Sequence, residues 1–445
     1  MKGLIQTIKN IWNITELRER IIYTLLLLAV FRLGTFIILP GIDSEVLKAA
    51  FDESTSGGGL LGFFNIFMGG AFGRGAILAL GIMPYISASI VVQLLAAVVP
   101  AFQKLRREGE SGTRKMNQIT RYLTVVITLL QSVSYITFIT NSYPGAVDSS
   151  PMFYVTTVII LTAGTMFLVW LGERITDNGL GNGVSLLIMI GIIASFPGAL
   201  LQEFSSKLPM VFFIEILALG VVTMAVVALT QATRKIPINY ARQMASNRLG
   251  QTGRGTAARQ YIPLKVNSSG VMPIIFAQAI MFLPVALIGL NSSDGAQYAA
   301  GVLSDWTGFW YNLIFFFMII IFTYFYTAIT VNPKDIADNL KRNGGFIPGV
   351  KPGKKTIDYI DNILSKVTFP GSIFLGIVAI FPAIAAQMGA TTGFAQFFGG
   401  TTLLIMIGVV LDTLQQMEGY LLNRHYDGLM KSGRVKGRQS QAVGI

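Results

Sequence analysis

The sequence contains no cysteine and a single histidine, His425. Disulfides, thiolate nucleophiles and Cys/His zinc sites are therefore excluded. The H-E-x-x-H, G-x-S-x-G and P-loop motifs are absent as well. The glycine-rich residues 179–183 lack the lysine of a phosphate-binding loop, so we interpret them as a turn. The sequence therefore predicts no catalytic residue, no metal site and no cofactor, and the chain is not expected to be an enzyme.

Charged residues are scarce too, at 13% of the 445 positions. A soluble domain carries about a quarter charged residues. Hydrophobic residues, in contrast, make up 52% of the chain, and the mean hydropathy is +0.60. The chain has too little polar surface to cover a water-facing protein, and this composition indicates contact with lipid.

Long apolar runs support this interpretation. A helix needs about 20 apolar residues to cross the hydrocarbon core of a bilayer. Ten such runs occur, so the sequence predicts an all-α polytopic membrane protein with ten transmembrane helices. The predicted spans lie near residues 21–39, 75–98, 119–140, 152–171, 182–201, 210–230, 271–290, 309–330, 371–389 and 400–421.

The distribution of basic residues predicts the orientation of these spans. With a cytoplasmic N-terminus, thirty of the 34 Lys and Arg residues fall on the cytoplasmic side. The outer side receives only Lys48, Arg74 and Lys207, and Arg32 lies within the first span. Because cytoplasmic loops of membrane proteins are enriched in Lys and Arg, both termini are expected to be cytoplasmic.

Two of the predicted cytoplasmic loops, residues 231–269 and 331–370, are long, and each carries seven basic residues. One interpretation is that these charges retain the topology and attract anionic lipids. The other is that the loops dock a large acidic partner, such as a ribosome with its phosphate backbone.

A short apolar segment on the predicted outer side does not fit the pattern of spans. Residues 57–73 are bracketed by glycines, and their apolar part, 60–72, predicts a helix of roughly 20 Å, too short to cross. Such a segment must be shielded by protein or line a cavity, because lipid cannot satisfy irregular backbone. It is either a static interfacial turn or a movable stopper in a pore.

Several strings in the sequence closely resemble the bacterial SecY family of the Sec protein translocase, in order and over nearly the full length. They are Phe31-Arg32-Leu33-Gly34, Pro40-Gly41-Ile42-Asp43, Leu80-Gly81-Ile82-Met83-Pro84-Tyr85-Ile86-Ser87-Ala88-Ser89-Ile90, Glu108-Gly109-Glu110-Ser111-Gly112, Gly181-Asn182-Gly183, Pro263-Leu264-Lys265-Val266-Asn267, Asn332-Pro333, Ala337-Asp338-Asn339-Leu340 and Gly399-Gly400-Thr401.

The resemblance implies two pseudo-symmetric, inverted halves, about 1–200 (helices 1–5, with the plug at about 57–73) and 205–445 (helices 6–10), that open like a clamshell. It implies a pore closed by a ring of apolar residues and by a re-entrant plug helix. The ring residues would be Ile82, Ile86, Ile188, Ile275 and Ile405. The plug residues would be Leu60, Leu61, Phe63, Phe64, Asn65, Ile66, Phe67 and Met68.

The resemblance also implies a lateral gate where spans two and three face spans seven and eight. The gate residues would be Ser87, Gln131 and Gln278. Arg242 and Lys351 would contact cytoplasmic partners, although the family usually has arginine at the position of Lys351, and lysine lacks its bidentate fork.

The function that the resemblance implies is a protein-conducting channel in the bacterial inner membrane. It would pass unfolded preproteins across the membrane and release hydrophobic segments sideways into lipid. Implied partners are the SecE and SecG subunits, the SecA motor ATPase, the ribosome, signal peptides with nascent chains, and anionic lipids.

Two other classes of function were weighed on the residues. A secondary transporter also uses inverted repeats, but it would have several polar or charged groups at mid-depth. This sequence offers mainly Arg32, Glu215 and Asp412, which are far apart in the chain. An intramembrane enzyme lacks a cluster of catalytic groups, so a gated polypeptide channel is the favoured hypothesis.

Overall fold

The structure is a computed structural model of the chain. It describes residue 12 and residues 14–55, 60–143, 145–147, 150–240, 260–278, 281 and 305–431. Within these ranges, the side chains of residues 50–61, 63, 64, 97, 107, 240 and 422–431 lie outside the description.

Helices joined by turns make up the described residues before position 232. They are α1 (Thr15–Gly34), α2 (Ser44–Thr55), α3 (Leu60–Phe67), α4 (Met83–Val98), α5 (Pro100–Arg107), α6 (Glu110–Ser142), α7 (Pro151–Asn178), α8 (Gly183–Ser206) and α9 (Pro209–Gln231). Local sequence sets several of the starts. Asn182 accepts a hydrogen bond from the Ser185 N–H and caps α8, and Pro209 stands in the first turn of α9, where its missing N–H costs nothing.

The remaining described residues add helices and three short strands. The elements are β1 (Thr233–Tyr240), β2 (Gln260–Lys265), α10 (Phe309–Thr330), α11 (Pro333–Arg342), β3 (Gly345–Phe346), α12 (Lys354–Gln387), α13 (Thr392–Ala395) and α14 (Gly400–Lys431). Residues 272–278 are helical as well, and the rest of the predicted span 271–290, apart from residue 281, lies outside the described residues.

The described residues contain seven helices that are long and apolar enough to cross a membrane. The count becomes eight if the bent pair 83–96 and 100–106, which turns by 101°, forms one span. The mostly helical, multi-spanning fold class is therefore confirmed, and the predicted count of ten is consistent with these helices.

Several helices begin or end away from the predicted span limits. The second span was expected to start at residue 75, but α4 starts only at Met83, because the turns before it include Gly75 and Gly81 with positive φ. The first span ends at Gly34 instead of 39, where the chain turns and pairs Ile38 with Ala76. The helix of the ninth span begins at Lys354 instead of residue 371. No glycine lies between Gly353 and Gly371, so the helix continues through this segment.

The described parts of the two long basic loops pack together around a small sheet, which was not predicted. Strands β1 and β2 pair antiparallel within the first loop, and β3 of the second loop adds to the free edge of β1. Apolar side chains of the sheet, including Ile236 and Leu264, pack against Leu340 of α11 and Ile360 of α12. The sheet thus links the two loops to each other outside the apolar spans.

Candidate functional site

The five predicted ring isoleucines meet in one apolar cluster, although four separate segments of the chain supply them. Ile82 caps α4, Ile86 lies one turn further on, and Ile188 and Ile405 belong to α8 and α14. All four are buried, with 5–7% of their surface exposed, and the partly buried Ile275 packs against them.

The start of α4 sets the positions of two of these side chains. The Ile86 N–H donates to the Ile82 carbonyl at 3.1 Å, so the two residues are one helical turn apart although Ile82 precedes the helix. They therefore project on the same side of α4. The predicted shared face of Ile82 and Ile86 agrees with this geometry.

The cluster that contains the isoleucines is wholly apolar, which is the property that the predicted ring requires. The buried members of the cluster are leucine, isoleucine, valine and phenylalanine side chains. A narrow passage of this kind expels water, and an ion would have to lose its hydration shell without receiving compensating ligands.

The predicted plug starts as the eight-residue helix α3, which is about 12 Å long at 1.5 Å per residue. The expected helix of 60–72 is wrong in length, because Gly69 and Gly70 adopt positive φ and end it at Phe67. The side chains of Leu60, Leu61, Phe63 and Phe64 lie outside the described residues.

The described plug side chains reach the isoleucine cluster. Phe67 is a buried member of that cluster, and Ile66 packs against it. Met68 is buried beside Ala71 and Ala76, and Asn65 accepts a hydrogen bond from the Gly73 N–H at 2.9 Å. The C-terminal end of α3 thus packs against the isoleucine cluster.

A close backbone contact fixes the end of the plug against α8. A Cβ atom added to Gly191 would lie 2.6 Å from the Phe67 carbonyl oxygen, so only glycine permits this approach. The guanidinium of Arg32 also donates to the Gly69 carbonyl at 2.8 Å. The intramembrane arginine that stood out in the sequence therefore holds the plug segment to the end of α1.

The predicted gate residues Ser87, Gln131 and Gln278 are all partly buried. Gln278 lines a cavity together with residues of α10, α12 and α14. No bond between any two of these three side chains is present among the described residues, so the structure does not bring them together as a unit.

A different polar contact joins α4 to α10. The Tyr326 hydroxyl donates to Gln93 Oε1 at 2.9 Å, and Gln93 Nε2 donates to Ser89 Oγ at 3.1 Å. Apolar packing surrounds it, with the rings of Phe276 and Phe322 stacked at 5.7 Å. This contact was not predicted; its signal in the sequence is the polar i,i+4 pair of Ser89 and Gln93 within an apolar helix.

Buried charges lie at the α8–α9 connection. Glu203 is fully buried, and its Oε1 lies 2.7 Å from Lys207 Nζ, which also bonds Glu215. Glu203 Oε2 accepts from the N–H of Thr391, at 2.9 Å, and from its hydroxyl. Burial disfavours the ammonium of Lys207, but its hydrogen bonds to both carboxylates outweigh this and raise its pKa above the ordinary value.

Of the two predicted partner contacts, Lys351 is exposed and Arg242 lies outside the described residues. The Lys351 carbonyl accepts from the Thr356 hydroxyl at 3.0 Å, within the turn that precedes α12. The basic residues of β1 and β2, Arg234, Lys235 and Lys265, are exposed too. Within the described ranges, no group of three or more acidic or histidine side chains is arranged to hold a metal ion.

A bundle of apolar helices around a buried apolar cluster, with a short helix packed against that cluster, is typical of gated membrane channels. The model of the SecY family matches residues 76–414. The chain belongs to the SecY family, and it is a channel subunit of the protein translocase and not an enzyme.

Relatives match over almost their whole length. The chain is 42% identical to the protein translocase subunit SecY of Halalkalibacterium halodurans, over 96% of this chain and 100% of the relative. It is 39% identical to that of Thermotoga maritima, over 98% and 100% of the two chains.

Solved structures share the fold. One reported as the structure of a protein conducting channel has a TM-score of 0.58 at 18% identity, covering 90% of this chain and 91% of its own. Sec61 of the canine ribosome–channel complex from the endoplasmic reticulum has a TM-score of 0.57 at 17% identity, with the same coverage.

Proposed function

We propose that the chain forms a gated pore that passes unfolded preproteins across the bacterial inner membrane and releases hydrophobic segments sideways into lipid. The observation that carries this proposal is the convergence of five isoleucines with Ile66 and Phe67 in one apolar cluster. Branched apolar side chains can move apart around an extended peptide and still exclude ions when the pore is empty.

The proposed halves, about 1–200 and 205–445, are joined at two seams. We define the gate seam as the contact of Gln93 with Tyr326, and the hinge seam as the contact of Glu203 with Lys207, Glu215 and Thr391. Opening at the gate seam would admit a signal peptide between α4 and α10. Ser87, Gln131 and Gln278 would then meet that peptide or its polar flank.

The cytoplasmic partners would bind the surface formed by the sheet and the turn before α12. Exposed basic residues such as Lys265 and Lys351 would attract the ribosome, the SecA motor or anionic lipids. Energy for transport would come from these partners, and SecE and SecG would complete the channel. The positive-inside distribution supports cytoplasmic termini.

The first test concerns the plug. In Gly191→Ala, the new methyl group meets the Phe67 carbonyl at 2.6 Å, so the plug must shift away from α8. We expect an ion leak through the empty channel, measured as single-channel conductance of the assembled translocase in planar bilayers. Gly198→Ala in the same helix is the matched control, because no atom lies within 4 Å of its Cβ position. Equal sealing by both variants would contradict the plug assignment.

A second test concerns the isoleucine ring. Ile405→Asn places an amide in the apolar cluster and weakens the closed state, so export of a substrate with a defective signal sequence should increase. Val410→Asn, on the same helix but 43% exposed, is the control. Unaltered export in Ile405→Asn, with the protein present at normal levels, would count against the ring.

A further inference from the structure

A cavity lies within the second proposed half, between residues 272–278, α10, α12 and the start of α14. Its volume, counted as the space that the centres of water molecules can reach, is about 70 Å³. None of the five ring isoleucines lines it, so it is separate from the constriction. Its described lining residues carry no charge but include Gln278, Trp306, Gln396 and Thr401.

Three polar atoms of this lining are buried without a hydrogen-bond partner in the described part of the chain. They are Trp306 Nε1, Gln396 Oε1 and Thr401 Oγ1. Gln396 and Thr401 are 7% and 1% exposed, so bulk water does not reach them freely. A buried polar group without a partner destabilises a fold more than a normal hydrogen bond stabilises it. A polar molecule in the cavity would satisfy all three groups at once.

Other polar groups of the lining are paired within the protein. Thr402 donates its hydroxyl to the Gly399 carbonyl at 3.0 Å. Asn312 Nδ2 donates to the carbonyls of Trp306 and Gly308, at 2.9 and 2.8 Å. The lining thus contains paired groups together with a free donor, a free acceptor and a free hydroxyl, on Trp306, Gln396 and Thr401.

We propose that this cavity is a binding site for small uncharged hydroxyl-bearing molecules, occupied by a cluster of ordered water. One water needs about 10–15 Å³ of such volume and two to four polar partners, so the site accommodates several. Trp306 Nε1 would donate to an occupant oxygen, and Gln396 Oε1 would accept from it. Thr401 would do either. An ion would find no opposite charge, and an apolar molecule would leave all three groups unpaired.

The same hydroxyl chemistry has a second source, a small polyol from the medium. Glycerol presents three hydroxyl groups that both donate and accept, and it serves as the probe for this source. The uncharged lining is suited to either occupant, and the test separates them.

The test is hydroxyl-radical footprinting of the assembled translocase in nanodiscs, with oxidation read by mass spectrometry. Water bound beside a buried side chain produces radicals in place and labels it. Phe315 lines the cavity and is 4% exposed, whereas Phe394 is fully buried outside it. We expect labelling of Phe315 well above that of Phe394, and loss of most of this labelling in Gln396→Leu. Labelling of Phe315 no higher than that of Phe394 would overturn the proposal.

Glycerol titration identifies the source of the hydroxyl groups. Labelling of Phe315 is expressed relative to its value without glycerol, because radicals formed in place from bound water escape the scavenging that glycerol causes in bulk solvent. A saturable fall of this ratio in the wild type, absent in Gln396→Leu, supports a polyol that displaces water. A constant ratio supports water alone.

A measurement of Tm tests the same proposal independently, because a hydrated and a dry cavity predict shifts in opposite directions. In a hydrated cavity, Thr401→Val removes a hydrogen bond to the occupant and lowers the Tm. In a dry cavity, the same change removes an unsatisfied hydroxyl and raises the Tm. Thr323→Val is the matched control, since that buried hydroxyl bonds its own helix at Ile319. A Tm of Thr401→Val above those of the wild type and the control would contradict the proposal.

Discussion

The hinge seam and the gate seam join the same two proposed halves by opposite chemistry. At the hinge seam, the buried Glu203 bonds Lys207 on one side and Thr391 on the other, 188 residues further along the chain. At the gate seam, a neutral hydrogen bond links Tyr326 to Gln93, with stacked aromatic rings beside it. Separating the hinge seam would leave charges unpaired in a low-dielectric environment, whereas separating the gate seam leaves only neutral groups.

This difference indicates which of the two seams can open. The loss of a buried ionic partner costs several kcal/mol, whereas the loss of a neutral hydrogen bond costs about 1 kcal/mol. A peptide that offers its own apolar surface can replace the contacts of the gate seam but not those of the hinge seam. We therefore expect the halves to stay attached at the α8–α9 connection while α4 and α10 move apart.

The largest effect is expected from Glu203→Ala. The change removes the ionic partner of Lys207 and the acceptor of two Thr391 bonds, at a cost of about 3 kcal/mol. Thermal unfolding of the assembled complex in nanodiscs measures it. Glu110→Ala is the control, because its ion pair with Arg114 is 77–81% exposed and exposed pairs contribute about 0–1 kcal/mol. A loss no larger than that of Glu110→Ala would remove the distinction between the seams.

An intermediate effect is expected from Thr391→Val. The hydroxyl bond to the Glu203 carboxylate is lost, but the backbone N–H bond at 2.9 Å remains. Hydrogen bonds to charged groups contribute about 1.5–3 kcal/mol, so we expect a loss near 1.5 kcal/mol in the same unfolding assay. Thr162→Val, whose hydroxyl bonds its own helix at Val158, should change little. Equal losses in the two variants would show that Thr391 does not couple the halves.

The smallest effect is expected from Tyr326→Phe, and it should change gating more than unfolding. Loss of the bond to Gln93 weakens the closed seam by about 1 kcal/mol, or about fivefold in the open-to-closed ratio. Single-channel recordings with a bound signal peptide measure this ratio. Tyr324→Phe, two residues away and 37% exposed, is the control. A double-mutant cycle with Gln93→Ala should give nearly the same ratio as Tyr326→Phe alone, and additive effects would contradict a direct coupling.

Much of the architecture was predictable from local sequence. Hydropathy over windows of about 20 residues located the spans, because crossing a bilayer imposes length and apolarity on each helix separately. The predicted limits failed where short-range geometry prevailed, as at Gly81, whose positive φ delays the start of α4. The sheet of β1, β2 and β3 was missed because β3 pairs with β1 across more than 100 residues of sequence.

The site was predictable only in part. The ring positions followed from the resemblance to a family, since an isoleucine in an apolar span has no local feature that distinguishes a pore wall from a lipid contact. Arg32 and Glu215 stand out in the sequence as intramembrane charges, but their partners, the Gly69 carbonyl and the Lys207 ammonium, do not. Nothing in the neighbourhood of Thr391 in the sequence indicates that it bonds the end of α8.

By itself, the sequence determined that the chain is a membrane protein. It also determined which loops carry the basic charge and to which family the chain belongs. These properties are sums over nearby residues or strings of them, and folding does not alter them. Only the tertiary structure decided that five isoleucines share one cluster, that Gly191 touches the plug, and that charges hold one seam while neutral groups hold the other. Such contacts depend on how each helix is rotated and packed against partners far away in the chain, and no local pattern specifies that.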